Sequence, residues 1–461
     1  MIVPILRFGK GGILIEKILT ALRTQGPIEP IRDTNEINRS YRYWQIRIMY
    51  SMMITYATFY FVRKNFSMAN NAIAKEFGFS NTEMGIILSL ATIVYAGSKF
   101  LSGILADHAN PRYFMAIGLV LSAIMNIFFG LSSALPLFIL FWALNNLFQG
   151  MGMPPCSRLL TIWFPPNTRG RAWGVWNASH QIGGGIIVIL AGFLVSTYGW
   201  RAAFYVPAII AIAVAIFTIS RLRDTPESIG LPSVEKFHEN GTLGTAGTGG
   251  KEETSREIFV KYVLKNKIVW IVSIANFFVY IVRIGILDWA PKFLENARGF
   301  TTEQAGLAVS GFEFVGIAGA FASGWISDKV FKGRRGPVSV FFMLWLTLSV
   351  VAIFFVPSGN FWLMLTALLG VGFFVYGPQM MVAVAATDFA TSKAAAAAVG
   401  LTGLFGYIGA TVCGVGTGMI VDRWGWNGGI IFYITSAVIG MLLFLLIWGA
   451  KLPESKSSSV G

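Results

Sequence analysis

The sequence predicts an all-α membrane protein with twelve transmembrane helices in two pseudo-symmetric six-helix bundles. Three observations predict it. Hydrophobic residues make up 55% of the 461-residue chain and charged residues only 13%, against about 25% in a soluble protein. Twelve apolar segments reach the ~20 residues that a helix needs to cross a bilayer. Short motifs recur in the same order about 220 residues apart, an internal period. So little charge cannot cover a water-exposed surface, which excludes a soluble enzyme. A disordered chain and a small disulfide scaffold are excluded too.

The elements follow in chain order. Residues 1–45 form an N-terminal segment. Its first apolar patch, Met1–Leu6, is too short for a cleavable leader and is followed by Arg7 and Lys10. Ile13, Leu14, Ile15, Ile18, Leu19 and Leu22 fall at helical spacing. An interfacial helix and an unordered tail are both open there. The first bundle, 46–220, holds spans at 46–72, 83–106, 113–133, 135–157, 172–196 and 202–220. Residues 221–267 are a polar linker with a flexible Gly/Thr run at Gly241–Gly250. The second bundle, 268–450, holds spans at 268–291, 304–327, 338–357, 360–387, 394–420 and 428–450. Residues 451–461 are a tail.

The net charge is +14. In a soluble chain such an excess suggests nucleic acid; here its position gives a different reading. Lys75, Arg201, Lys292, Arg298 and Arg423 are the five basic residues in outer loops. The linker, the termini and the inner loops hold nearly all the others. The positive-inside rule then places both termini in the cytoplasm. The partner implied is the lipid bilayer, with no nucleic acid.

The repeat shows in four places. Gly103–Asp107 (GILAD) answers to Gly324–Asp328 (GWISD), and Tyr198–Trp200 (YGW) to Trp424–Trp426 (WGW). Pro155 answers to Pro378. Phe61–Lys64 (FVRK) answers to Ile281–Ile284 (IVRI). Each half therefore sets one arginine deep in its first helix, and the binding site is expected between the bundles near the midplane.

Four basic residues fall inside spans: Arg63, Lys64, Lys99 and Arg283. A charge at the bilayer centre costs about 2.5–3.5 kcal/mol on insertion scales and normally faces a functional cavity. Carboxylates that could neutralise them are few. Glu313 is the clear intramembrane one, and Asp288 lies near the outer end of the seventh span. With Asp107 and Asp328 at the inner ends of the second and eighth spans, these are the gating or charge-pair candidates. The positive surplus calls for an anionic substrate. Guanidinium matches phosphate and carboxylate in a planar fork and stays charged, so Arg63 and Arg283 are expected to clamp one dianion between the bundles. Without the anion they repel across the cleft. Loading then favours closure, which is the behaviour of an exchanger.

The remaining candidates are less specific. Lys99 has three open roles: contacting the anion, pairing with Glu313, or snorkelling. Lys64 lies about 100° round the helix from Arg63 and reads as a structural or snorkelling charge. His180 is either a hydrogen-bonded core residue or a phosphate donor. Tyr56, Tyr60, Tyr95, Trp176, Tyr280, Tyr376 and Tyr407 are candidates for ring or hydroxyl contacts, though composition alone makes most of them packing residues. Glycines at Gly183–Gly185 and Gly400–Gly409 permit close helix approach. Cys156 and Cys413 lack metal-ligand spacing. No catalytic triad, HExxH or phosphate loop is present. No enzyme activity, cofactor or metal is expected.

Together these motifs resemble the major facilitator superfamily, and within it the organophosphate:phosphate antiporters. The resemblance runs from about Tyr41 to Lys451. It rests on Tyr60–Phe66 (YFVRKNF), Ser98–Asp107 (SKFLSGILAD), Gln149–Leu160 (QGMGMPPCSRLL) and Val175–Gly185 (VWNASHQIGGG). Arg223–Pro232 (RDTPESIGLP), Tyr280–Trp289 (YIVRIGILDW), Tyr376–Met380 (YGPQM) and Gly400–Gly409 (GLTGLFGYIG) complete it. The resemblance implies rocker-switch exchange of an organic phosphate for inorganic phosphate in a bacterial inner membrane, by a monomer. It matches the family's two essential arginines to Arg63 and Arg283, its second-helix lysine to Lys99 and its fifth-helix histidine to His180. Its pocket tyrosines match Tyr56, Tyr60, Tyr95, Tyr280 and Tyr376. Trp176, Glu313 and Tyr407 also fall on family positions.

Departures bear on the substrate. Glycerol-phosphate carriers resemble GMGWPPC and AHNVGGG, where this chain has Met153 and Gln181. The charged Asp/Lys pair of hexose-phosphate carriers near Gly400–Gly403 is missing. Tyr41–Trp44 (YRYW) and Pro111–Leu119 (PRYFMAIGL) are most similar to the hexose-phosphate sensor. Met153 in place of tryptophan leaves room for a sugar ring, so glucose-6-phosphate is the expected substrate. Glycerol-3-phosphate is the alternative. A sensor signalling to a membrane histidine kinase is the second reading.

Overall fold

The computed structural model describes residues 26, 28–107, 109–238, 260–390 and 394–450. The expected interfacial helix at Ile13–Leu22, the Gly241–Gly250 run and the 451–461 tail lie outside the described residues. Within them the chain is a bundle of long helices, and their ends fall where capping residues stand. Asp33 accepts from the Asn35 backbone N–H at 3.0 Å and opens α1, Thr34–Phe77. Gly78, at φ 70°, closes it. Ser80 and Glu83 form a reciprocal capping box that opens α2, Asn81–Ala106. Asn110 and Pro111 start α3, Pro111–Leu131.

The fourth crossing, expected as one span over 135–157, is broken into α4, Leu135–Gln149, and α5, Met153–Trp163. The break follows from packing and proline chemistry. A Cβ on Gly150 would collide with the Ser98 hydroxyl and lie 2.8 Å from the Lys99 backbone nitrogen of α2. Pro154 and Pro155 then bring no N–H and suit a first helical turn. α6, Pro166–Tyr198, and α7, Ala202–Arg221, complete the first half.

The second half repeats this plan. α8, Lys267–Arg298, ends at Gly299 with φ 71°, and α9, Thr302–Lys329, opens on a Thr301/Gln304 capping box. The helix junction Gly78-Phe79-Ser80 thus has its counterpart in Gly299-Phe300-Thr301, a fifth correspondence in the repeat. α10, Arg335–Phe355, and α11, Phe361–Phe389, follow. The last two spans run together as α12, Ala395–Leu445, bent only at Gly425 (φ 67°, ψ −175°). That backbone geometry is open to glycine and little else. By length and apolar composition ten helices among the described residues can cross a bilayer, α4 and α5 counting as one. α12 holds two crossings, and the less apolar α1 supplies the twelfth.

Within the first half, α1 packs on α6 and α7, α3 on α7, and α2 on α4. Within the second, α8 packs on α12, and α9 and α10 on α11. The halves meet where α2 lies on α12, α6 on α9 and α1 on α8. These crossings are close because they are glycine-lined. A Cβ on Gly85 would stand 2.9 Å from the Val415 Cα. Of the glycines expected to permit close approach, Gly183 meets α1 at Ala57 and Gly409 meets α8 at Phe277. Gly400 and Gly403 face open space.

The contacts between halves gather toward one face, opposite the linker. There Asp422 accepts from Asn81 and Thr82, Glu303 from Ser196, and Glu295 from Asn71. Deeper in the seam the halves are joined by Ser89 to the Thr411 carbonyl at 2.6 Å and by Lys99 to Tyr407 at 3.0 Å. The hydrogen bonds named here between the bundles thus hold the far face together and reach inward as far as Lys99 and Tyr407.

Candidate functional site

The site is built where α1 loses its helical regularity. Val62 has φ −96° and ψ 16°, so its carbonyl turns off the helix axis. Arg63 and Lys64 follow at once and take different partners. Lys64 crosses to the other half and donates to Asp288 of α8 at 2.6 Å. Both are buried. The structural role expected for Lys64 is thereby given a partner, and snorkelling is not its solution.

Arg63 faces a cavity of about 200 Å³ between the halves, which Lys64 and Asp288 also line. Its Cζ lies 3.8 Å from the Tyr95 ring centroid and 5.6 Å from that of Tyr60. Arg283 comes from α8 on the opposite wall. Its Cζ is 4.8 Å from the Tyr376 ring and 5.8 Å from the Tyr280 ring. Such cation–π contacts hold a guanidinium in place while leaving its in-plane donors available. The Arg283 Nε is buried without a hydrogen-bond partner.

Tyr376 stands behind Arg283 rather than on the cavity wall. It accepts from Arg283 Nη2 at 3.2 Å and donates to Glu313 at 2.5 Å. Glu313 is fully buried. The expected Lys99–Glu313 pair is not formed. Lys99 donates to the Tyr407 hydroxyl at 3.0 Å, from α2 to α12. The reason is reach: Lys99 lies in the α2–α12 crossing, while Glu313 lies against Gly184 in the α6–α9 crossing.

His180 Nδ1 contacts the Asn177 backbone carbonyl. A carbonyl only accepts, so Nδ1 carries the proton and Nε2 is the nitrogen left for another partner. The His180 ring sits 5.7 Å from that of Tyr60 and 6.3 Å from that of Tyr376. Tyr56 packs on Trp176 at 4.9 Å, and Tyr95 on Tyr407 at 5.5 Å.

Eleven residues were expected to contact substrate. Tyr56, Tyr60, Arg63, Tyr95, Lys99, Trp176, His180, Tyr280, Arg283 and Tyr407 line this cavity, and Tyr376 does not. Of the carboxylates, Asp288 lines it and Glu313 stands one residue behind. Asp107 and Asp328 are at the linker face, far from it. Asp328 is bound there by Arg335 at 2.8 Å, which also holds Asp388 at 2.8 Å. Sequence reasoning missed Thr92, Asn146, Trp173, Asn177 and Gln379, which also line the cavity. Lone amides in apolar helices were the available signal.

The electrostatic balance is one-sided. Arg63, Lys64, Lys99 and Arg283 line the cavity, and its one lining carboxylate among the described residues, Asp288, is engaged by Lys64. Among the described residues no carboxylate lies within ion-pair distance of either arginine. Donors on both walls, cationic and low in dielectric, suit an anion held between the halves.

A family model described as Major Facilitator Superfamily matches residues 52–413. The chain belongs to the major facilitator superfamily. It is a multi-pass membrane transporter by family, not an enzyme, and its relatives place it with the organophosphate:phosphate antiporters. A probable hexose phosphate transport protein of Chlamydia pneumoniae is 44% identical, covering 94% of this chain and 97% of that one. A glycerol-3-phosphate transporter of Bacillus subtilis is 40% identical over 90% and 95%. The membrane sensor protein UhpC of Escherichia coli is 38% identical over 95% and 100%. Among solved structures, a bacterial homologue of the human lysosomal transporter Spinster, inward-facing and occupied, aligns with a TM-score of 0.70 at 17% identity. It covers 88% of this chain and 97% of that one. That likeness concerns the fold.

Proposed function

We propose that the protein exchanges a sugar phosphate, glucose-6-phosphate, for inorganic phosphate by alternating access. The carrying observation is the pair Arg63 and Arg283, one from each half, facing one cavity without a carboxylate of their own. A phosphate dianion between them supplies the missing charge. It also draws together two walls that otherwise repel, so loading and reorientation are coupled. Lys99 would add donors on the anion, as would His180 where the bound dianion protonates its Nε2, and the aromatic residues would face the sugar. Met153 lines the cavity, which supports room for a ring. Gln181 is buried beside Gly316 in the α6–α9 crossing, so it bears on substrate only indirectly. The linker face would be the cytoplasmic one, with both termini there.

The test uses proteoliposomes loaded with inorganic phosphate and given labelled glucose-6-phosphate outside. Uptake that depends on internal phosphate is expected. No uptake by folded protein would overturn the reading. Competition by glycerol-3-phosphate ranks the two substrates. The likeness to a membrane sensor supports a second reading, in which the same cavity binds glucose-6-phosphate and signals to a membrane histidine kinase. Binding without turnover, together with co-purification of a kinase, would favour that one.

A further inference from the structure

The break in α1 has an unusual support. In an α-helix ψ is about −42°, yet at Val62 it is 16°. This torsion sets the peptide plane joining Val62 to Arg63, so it aims the arginine. The displaced Val62 carbonyl is met by two side-chain amides. Asn145 of α4 donates to it at 2.8 Å, and Asn126 of α3 donates to it at 3.0 Å. Asn126 is itself held: its amide also reaches the Ser122 carbonyl at 3.0 Å, and its side-chain oxygen accepts from Asn65 at 2.9 Å. Asn65 in turn donates to the Ala203 carbonyl of α7 at 2.8 Å. All three asparagines are fully buried. Two neighbouring helices, α3 and α4, thus bond the single peptide that precedes Arg63, and α7 joins the network through Asn65.

Burying three amides in a membrane bundle is costly unless they are bonded; all three nitrogens here are, while the Asn65 and Asn145 oxygens are buried without a partner, and leucine would pack the same space without that cost. A carbonyl turned off its helix axis also needs donors. The asparagines and the break therefore require each other, and the residue their arrangement orients is Arg63. By contrast α8, which carries Arg283, is recorded with helical backbone throughout its interior. The two arginines are positioned by different means.

We infer that Asn145 and Asn126 are positioning residues for the anion site, holding the Val62 carbonyl so that Arg63 points into the cavity. This rests on the reading of that cavity as a phosphate site. Neither residue touches the anion. Its recognition runs through the backbone of α1.

The experiment measures inorganic phosphate affinity of the purified full chain by titration, with melting temperature recorded in parallel. Four proteins are compared: wild type, Arg63→Ala, Asn145→Leu and Thr218→Val. The last removes a buried 2.7 Å contact between Thr218 and Thr55 of α1 without touching Val62, and so controls for general loosening. Asn145→Leu is expected to weaken phosphate binding about tenfold, the equivalent of one hydrogen bond's worth of aim. Thr218→Val is expected to lower the melting temperature and leave affinity unchanged. If Asn145→Leu does not fold, Asn145→Ser and Asn126→Ser replace it. Each shortens the donor without emptying the site, and each is expected to weaken binding.

If Arg63→Ala weakens binding while the asparagine variants bind as wild type, the positioning role is overturned and the phosphate site stands. If Thr218→Val weakens binding as much as they do, the effect is general and the inference falls. If Arg63→Ala binds phosphate as wild type, the phosphate site itself is wrong, and the inference falls with it.

Discussion

Lys64 donates to Asp288 at 2.6 Å across the seam between the two halves, while the adjacent Arg63 lines the same cavity with no carboxylate at ion-pair distance among the described residues. One helical step separates a charge that is neutralised from one that is left for a ligand. The pair also ties α1 to α8 beside the site. Breaking a buried pair by removing one partner strands the other charge, at a cost of up to about 3–5 kcal/mol. Lys64→Met and Asp288→Leu are each expected to lower the melting temperature and abolish exchange. The double variant is expected to regain the melting temperature, because neither charge is then stranded. Melting curves and counterflow on the three proteins check this; a double variant no better than the singles would refute it.

The arginines are expected to be intolerant of lysine. A guanidinium offers a rigid fork and an ammonium a single point. Arg63→Lys or Arg283→Lys keeps the charge but loses the second of two parallel donors. Phosphate affinity should fall about tenfold to a hundredfold, with the melting temperature held. Equal affinity in either variant would mean that the cavity senses charge alone.

Tyr376 allows a finer test, since it is within hydrogen-bond reach of Arg283 and Glu313 but does not line the cavity. Tyr376→Phe keeps the ring under Arg283 and removes both hydroxyl bonds. A loss of about 1 kcal/mol in phosphate binding is expected, near fivefold in Kd. Glu313→Gln keeps an acceptor for the tyrosine, so it should weaken binding less than Tyr376→Phe does. The reverse order would show that Glu313 acts on the site by charge rather than through the hydroxyl.

How much of this was legible follows from which physical signal each feature leaves. A charge in an apolar run is visible in one dimension, and Arg63, Lys99 and Arg283 were found that way. Spans were visible by length. The break between α4 and α5 was written in Gly150, Gly152, Pro154 and Pro155, but average hydropathy over 135–157 concealed it. Cross-bundle partners leave no such trace. Lys64 was placed by its angle around α1, and nothing in that angle names Asp288, 224 residues away. The same holds for Asn126 and Asn145, whose shared acceptor is a backbone atom with no side-chain identity. Tyr376 was expected on the cavity wall because it aligns with pocket tyrosines. Its hydroxyl is bonded to Glu313 and to Arg283, and its ring lies under the Arg283 guanidinium.

The far face carries a separate prediction. Asp422, before the bend at Gly425, accepts four hydrogen bonds from the first turn of α2. They come from Asn81 N at 3.1 Å, Asn81 Nδ2 at 2.8 Å, Thr82 N at 2.8 Å and Thr82 Oγ1 at 2.6 Å. A carboxylate at a helix N-terminus meets both free backbone donors and the positive end of the dipole. Because Asp422 belongs to the second half and α2 to the first, these bonds exist only while the far face is closed. Asp422→Ala should therefore shift the equilibrium toward far-face opening by removing a contact that one state has and the other lacks. Thr92 lines the cavity, and the native Cys156 and Cys413 are buried. A Thr92→Cys reporter can thus be labelled with a membrane-impermeant thiol reagent applied from the far face. Labelling should be slow in the reporter alone and several times faster when Asp422→Ala is added. Saturating phosphate should leave that order intact, since the latch lies outside the site. Equal labelling rates would mean that closure is held by the glycine-lined contact of α2 with α12 and not by Asp422.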